Sequence, residues 1–553
     1  MAALRLLDPA IYAEMRERTL SRLARSARRP EDLVWTLGID ALNGYGPLSH
    51  EQLRAHLLAM DRQEFQNYLR RELDASRVIV GILHGRDSGR QARVTSPQRH
   101  APGDITTDLD PLDHLTESEI RPVLEVYAHA PVVQIVNIEL SNGVPLHILL
   151  MPDSERLHLG GVRKLPCLQV ERQGKQQGIG IIYNHLVNHG FASPPRTYPA
   201  ESPPFRAPFA AHFQVSPCGL HYRAQGASDQ VKEMSATLKA RLESDDFNLA
   251  RWQRLLAGGS ATFARMRRQP TNQARLYRWS LLFGEDHPVL GRWRGDLRTI
   301  DKIKYKDIQK FHRQVVANGH NHLIAAGEFD VNELSGILAG DFGGTEGFTL
   351  QRGESPPQLL TGREGVVFPA FDKQDVRLTL SFPPLVHAAA QETGWSELKL
   401  LEEVLRMRLQ ARLRLEAGLV YTVAVAVQEG AGFLVLEVYT SCLPARAPDV
   451  LESIRAVLQE LGTVGVDTDT LLRAQLLVAG QLLGRLTDPV RGYELLEEMV
   501  SWGEVPENPL ASLLAVTEPE LTRLLARCVP ADRFVFSVTG PLFAEDIALF
   551  DLP

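Results

Sequence analysis

The stretch YKDIQKFHRQVVANGHNHLIAAGEF, residues 305–329, reads as a helix opened by an acidic residue and followed by a short apolar strand that closes on a glycine. The same pattern occurs at 60–85, MDRQEFQNYLRRELDASRVIVGILHG, and again at 517–541, TEPELTRLLARCVPADRFVFSVTGP. In the last copy Thr517 and Glu520 form a capping box, which sets where that helix begins. A recurrence this widely spaced has a whole domain as its period. A long helical stretch precedes each copy, at 10–27, 248–268 and 467–486. The second and third copies also have a front half that begins with strands, at 133–153 and 374–384. Asn142-Gly143, between two alternating apolar runs, signals a hairpin in the first of these. The first copy has no front half.

The predicted organisation follows. Residues 1–90 form a truncated, C-terminal part of a domain, and 131–340 and 366–553 form complete ones. The polar, proline-rich stretches 91–130 and 341–365 read as linkers. Strands and helices alternate, so the expected class is α/β or α+β, with sheets packed by helices. A chain of 553 residues exceeds one ordinary core and agrees with about three domains.

Bulk properties narrow the function. With a net charge of −7 the chain lacks the basic footprint of a nucleic-acid binder. No apolar run is long enough for a spanning helix, so no membrane association is expected. The first twenty residues carry Asp8, Glu14 and Glu17 and no apolar core, unlike a secretory signal. Cys167, Cys218, Cys442 and Cys528 lack paired spacing. A cytoplasmic location is therefore expected, or a periplasmic one if a leader has been trimmed away.

Three further segments carry chemistry. HLVNH, 185–189, sets two histidines four apart, one helical turn, with Asn188 before the second, and RTYP follows at 196–199. LLFGEDHP opens a long segment, 281–330, that ends in the helix and strand described first. RLEAGLVYTV, 414–423, closes a long amphipathic helix at Gly418 and turns into a β-branched strand. That geometry sets Arg414 in the last turn and Tyr421 on the emerging strand, near one edge of a sheet.

In this order and spacing the three segments resemble the insulinase/pitrilysin family of zinc metallopeptidases, the inverzincins, across nearly the whole chain. The resemblance implies paired α/β domains, each pair one half of a clamshell that closes around an unfolded peptide. It also implies zinc in the first domain of the set, with an arginine and a tyrosine of the last domain reaching the scissile bond. This chain then corresponds to the tail of a second domain followed by a third and a fourth.

By the same resemblance, zinc would be held by two histidines and a distant glutamate, with the glutamate of H-x-x-E-H taking a proton from the bound water. His185 and His189 stand at the histidine positions, but Asn188 replaces the acid, and an amide has no basic oxygen near neutral pH. The segment where the third ligand is expected, LLAGGSATFARMRRQP at 255–270, contains no carboxylate. A catalytic zinc needs three protein ligands and an open position, so no metal is expected in this chain. His185 and His189 then read as surface or interface histidines, or as the remnant of a weak metal site.

Arg414 and Tyr421 admit two readings. As a pair aimed at one spot they would stabilise an oxyanion in the transition state of peptide hydrolysis. Otherwise the arginine complements a helix dipole and the tyrosine packs its ring. Arg406, Arg408 and Arg412 read as a solvated face. The leading expectation is a chain inactive alone: a non-catalytic subunit of a heteromeric zinc metallopeptidase, paired with a zinc-bearing partner and an unfolded peptide substrate. The alternatives are a scaffold or peptide-binding protein without catalytic role and, behind both, an autonomous zinc endopeptidase.

Overall fold

The computed structural model describes residues 115–129, 135–164, 178–189, 210–247, 268–290, 302–342, 362–386 and 394–550, with breaks of one or two residues, and a few positions at 55–64 and 249–253. The chain separates into Met1–Asp104 and Ile105–Pro553, and every element named below belongs to the second unit. The truncated domain expected at 1–90 lies outside the described residues.

In chain order the first group of elements is α1 (Glu117–His129), β1 (Ile135–Glu139), β2 (Pro145–Leu150), β3 (Leu157–Lys164), α2 (Ile179–His189), β4 (Ala210–Val215), β5 (Gly219–Gly226), α3 (Val231–Glu243), α4 (Pro270–Phe283), α5 (Tyr305–Ala317), β6 (His320–Gly327) and α6 (Val331–Asp341). The second group is β7 (Arg363–Pro369), β8 (Val376–Ser381), β9 (Leu385–Val386), α7 (Trp395–Gln410), β10 (Val420–Gly430), β11 (Phe433–Cys442), α8 (Ala447–Val464), α9 (Thr468–Leu486), α10 (Pro489–Trp502), α11 (Pro509–Leu514), α12 (Glu518–Cys528) and β12 (Phe534–Gly540). No described helix is long and apolar enough to cross a membrane.

The elements form an α/β structure with two mixed sheets. One has the order β1-β2-β6-β3-β5-β4, with β2 and β6 parallel; the other runs β10-β11-β8-β12-β7, with β12 and β7 parallel. The helix-then-strand units read from the sequence are α5–β6 and α12–β12, each of which inserts its strand in the interior of a sheet. Thr517 and Glu520 form the expected capping box. The Asn142-Gly143 turn joins β1 to β2, with Gly143 at φ 77°, the left-handed region that glycine reaches at no steric cost.

One stretch read as linker is corrected. Residues 117–129, inside 91–130, form α1. Thr116 caps it, its backbone N–H bonded to Glu119 at 2.7 Å, and Ile120 and Leu124 bury themselves beside Leu472 of α9. The signal was a four-residue apolar spacing, masked by Pro122 and by charged neighbours.

Alternation along the strands gives each sheet two faces. In the first sheet Leu146, Leu159, Tyr222 and Leu323 point to one side, into a core shared with Tyr183 of α2, Leu238 of α3, Phe311 of α5 and Leu338 of α6. The opposite side is packed by α10, a helix that arrives from the second group of elements. Close approach is possible because β3 carries Gly160: a Cβ there would lie 2.5 Å from the Tyr493 hydroxyl and 2.0 Å from the Tyr222 carbonyl oxygen. His221 Nδ1 meets Glu497 at 2.8 Å, and Arg223 meets Glu494 at 3.2 Å.

The exchange is mutual. Helix α4, which precedes the second group in the chain, packs on β12 and β7 of the second sheet. Its Trp279, Leu282 and Phe283 pack with Phe433, Val435 and Val535. Arg278 beside them is 5% exposed and pairs with Glu437 of β11, 2% exposed, at 3.0 Å. The same guanidinium donates to Ser381 at 2.8 Å and to Ser537 at 2.5 Å, so it spans three adjacent strands.

His158, 2% exposed on β3 beside the Tyr493 ring, has no hydrogen-bond partner at either ring nitrogen among the described residues. Burial, with the charges of Arg223 and Arg156 and against that of Asp488, pulls its pKa from near 6.5 to about 4. Burial does the same to His147, beside Lys164, and to His312, which is held between Tyr183 and the Leu242 carbonyl. Depressed folded values mean that the unfolded chain takes the proton first as pH falls, so stability is complete above about pH 6.5 and declines toward pH 4. By pH 5 each of these histidines costs on the order of 2 kcal/mol. Denaturant unfolding at pH 7 and pH 5 should show this loss, and His158→Leu should flatten the dependence by one histidine's share.

Candidate functional site

Helix α2 carries the YNHLVNH motif. Ile179, Ile182, Tyr183, Leu186 and Val187 turn one face into the core, and the Tyr183 hydroxyl meets His312 Nδ1 at 2.8 Å. His185 and His189 stand on this helix, and their side chains lie outside the described residues. Asn188, at the position of the missing acid, is described fully. Its Oδ1 accepts the Phe213 N–H at 2.6 Å, while its Nδ2 donates to the Phe213 carbonyl at 2.5 Å and to the Asn184 carbonyl at 2.8 Å.

Asn184, one turn earlier, does the same two residues along β4. Its Oδ1 accepts the Val215 N–H at 2.5 Å and its Nδ2 donates to the Val215 carbonyl at 3.1 Å. The reading from sequence missed Asn184. The available signal was an asparagine repeated at four-residue spacing within the motif.

Neither asparagine supplies a group that could take a proton from a metal-bound water. The amide at 188 supplies no base, and its oxygen and nitrogen are both committed to backbone groups. The segment at 255–270, without a carboxylate, falls outside the described residues except for its last three positions.

The second locus is the junction of α7 and β10. Helix α7 widens into a π-turn over Ala411–Glu416 before it stops. Ala417 N bonds to the Arg412 carbonyl and Leu419 N to that of Leu413, at 3.2 and 2.8 Å, and Gly418 at φ 59° reverses the chain. Strand β10 then begins with a bulge: Val420 pairs with Cys442 and Val423 with Thr440, leaving Tyr421 and Thr422 opposite one residue. The Thr440 hydroxyl fixes this irregularity by donating to the Thr422 carbonyl at 2.6 Å.

The π-turn and the bulge together set Arg414 against Tyr421, with the guanidinium carbon 5.3 Å from the ring centroid. Both side chains are exposed, and Tyr421 keeps 79% of its surface open to solvent. Single-turn π segments and bulges are local irregularities that gather at functional sites, where they re-aim side chains. The structure therefore brings the side chains of Arg414 and Tyr421 together. Arg406, Arg408 and Arg412 pair instead with Glu403, Glu460 and Glu416.

Two sheets exchange helices, one beneath a histidine-bearing helix that carries an amide at 188 and the other ending in an exposed Arg–Tyr pair. Comparison with known proteins places this architecture beside peptidase folds. The family described as Peptidase M16 inactive domain matches residues 302–477. An uncharacterized zinc protease of Mycobacterium tuberculosis is 27% identical over 273 residues, 47% of this chain and 60% of that protein. The match thus spans about three-fifths of that relative's length.

Among solved structures, the peptidase M16 inactive domain from Pseudomonas fluorescens superposes with a TM-score of 0.58 at 15% identity, over 74% of this chain and 98% of that one. The periplasmic protease PqqL from Escherichia coli gives 0.57 at 13%, over 97% of this chain and 61% of that one. At such identities these two show the fold alone. Over residues 302–477 the chain is thus similar to the M16 peptidases, and the comparisons are consistent with a degenerate, insulinase/pitrilysin-like relative of them.

Proposed function

We propose that this chain is the non-catalytic subunit of a heteromeric zinc metallopeptidase, forming part of the chamber that receives an unfolded peptide and lending Arg414 and Tyr421 to a zinc site held by a partner. The observation that carries the reading is a contrast between the two loci. The groups that would activate water are replaced or engaged elsewhere, whereas the pair suited to an oxyanion is exposed, irregularly built and free of any carboxylate partner among the described residues.

In such an assembly the guanidinium of Arg414 and the phenol O–H of Tyr421 donate hydrogen bonds to the carbonyl oxygen of the scissile peptide as negative charge develops there. A donor fixed beforehand needs little reorganisation when that charge appears, which is why such groups act on the transition state more than on the bound substrate. The aromatic face of Tyr421 holds the guanidinium by a cation–π contact and so restricts where it points.

The same stacking favours a second reading, in which the pair packs only on itself and the chain is a scaffold. Purification from the native host, followed by metal analysis and a quenched-fluorescence peptide assay, separates the readings. A zinc-bearing peptidase should travel with this chain, and cleavage should require both polypeptides. One tightly held zinc in the isolated chain, with chelator-sensitive activity, would make it an autonomous enzyme instead.

A further inference from the structure

Among the described residues, strand β4 is the last strand of its sheet and pairs only with β5. In an antiparallel strand successive residues direct their N–H and C=O groups to opposite sides. The bonds from Phe213 and Val215 to α2 show that these residues, and Ala211 by alternation, face away from β5. An outer edge of this kind is a template onto which another extended chain adds.

Here the template is filled. A helical step of four residues advances about 6 Å and a strand step of two about 6.7 Å, so amides at 184 and 188 meet the peptide groups of 215 and 213 in register. Each asparagine accepts from a strand N–H and donates to the carbonyl of the same residue, as a neighbouring strand would. The second N–H of Asn188 is used by the Asn184 carbonyl, which fixes the amide's orientation. The next outward carbonyl, that of Ala211, takes a bond from Arg241 at 3.4 Å, and the same guanidinium lies 5.8 Å from the Phe213 ring centroid.

We infer that Asn184 and Asn188 act as a two-rung side-chain clamp that closes this sheet edge to strand addition by an extended peptide. Asn188 is then more than a lost base. A carboxylate in its place accepts the Phe213 N–H but cannot donate to the Phe213 and Asn184 carbonyls, so restoring the acid unseals the edge. The inference stands independently of any role for Arg414 and Tyr421.

Hydrogen exchange on the intact wild-type chain is the first test: the amides of Phe213 and Val215 should be protected despite their place on an edge strand. Asn188→Asp, of equal reach, should speed exchange at Phe213 by about ten- to a hundredfold at neutral pH. That deficit relative to wild type should shrink as pH falls, because a protonated acid regains one donor. Its folded pKa is raised by the facing carbonyls, so protection is present at low pH and lost on passing upward through that value.

A fluorescein-labelled peptide of alternating threonine and valine is the second probe. The Asn184→Ala/Asn188→Ala variant should bind it at least tenfold more tightly than wild type. Unprotected Phe213 and Val215 amides in wild type, unchanged exchange in Asn188→Asp, or equal peptide binding by wild type and the double variant would each overturn the clamp.

Discussion

In a reconstituted complex with its zinc-bearing partner, replacing Arg414 by alanine or Tyr421 by phenylalanine should lower peptide cleavage by about 10²- to 10³-fold, the usual effect of removing one donor to a developing oxyanion. The loss should fall on kcat rather than KM, because the charge these groups stabilise is absent from the ground state. Stability should hardly change. Both side chains are exposed, their removal opens no cavity, and surface substitutions of this kind stay within about 0.5 kcal/mol.

The conservative change is the more informative of the two. Tyr421→Phe keeps the ring that faces Arg414 and removes only the O–H, so a large effect assigns the work to the hydroxyl rather than to packing. Wild-type rates in both variants, with complex formation intact, would leave the scaffold reading standing and remove the catalytic one.

The second large effect concerns the buried pair that ties α4 to the second sheet. Burial opposes ionisation of Glu437, yet the Arg278 charge and the hydrogen bond from Ser381 hold its carboxyl below the ordinary value. Arg278 in turn has burial acting against its charge and Glu437 acting for it. Removing one partner strands the other: Arg278→Met or Glu437→Leu should each cost about 3–5 kcal/mol, read as a lower midpoint in denaturant unfolding.

Replacing both should cost less than the sum of the single changes, since the desolvated charge disappears with its counter-charge. The two serines, Ser381 and Ser537, would then lose their partner and retain part of the deficit. Additive losses would show that the two charges do not depend on each other.

Much of the local structure was legible because it rests on short-range physics. The helix-then-strand units, the Asn142-Gly143 hairpin, the Thr517–Glu520 box and the left-handed end at Gly418 each depend on residues within about one turn of each other. Helix α1 was missed for the reason that makes short amphipathic helices hard to see: its apolar stripe is narrow and becomes a stripe only once α9 supplies a surface. The pairing of Arg414 with Tyr421 was foreseeable from the intervening glycine. The π-turn and the bulge that complete it were not, since the bulge is defined by its pairing with β11 and the π-turn by a shift in the helix's own backbone bonds that leaves no mark on residue spacing.

By itself the amino-acid sequence determined the α/β class, the types of the recurring elements and the presence at 188 of an amide that cannot act as a base, because composition, spacing and functional-group chemistry travel with the residues. The tertiary structure alone decided that α4 and α10 are exchanged between the sheets, since an apolar helix face does not encode which apolar sheet it will cover. It alone decided the present use of Asn188, because an amide's role depends on the group it meets, here a strand twenty-five residues further along the chain.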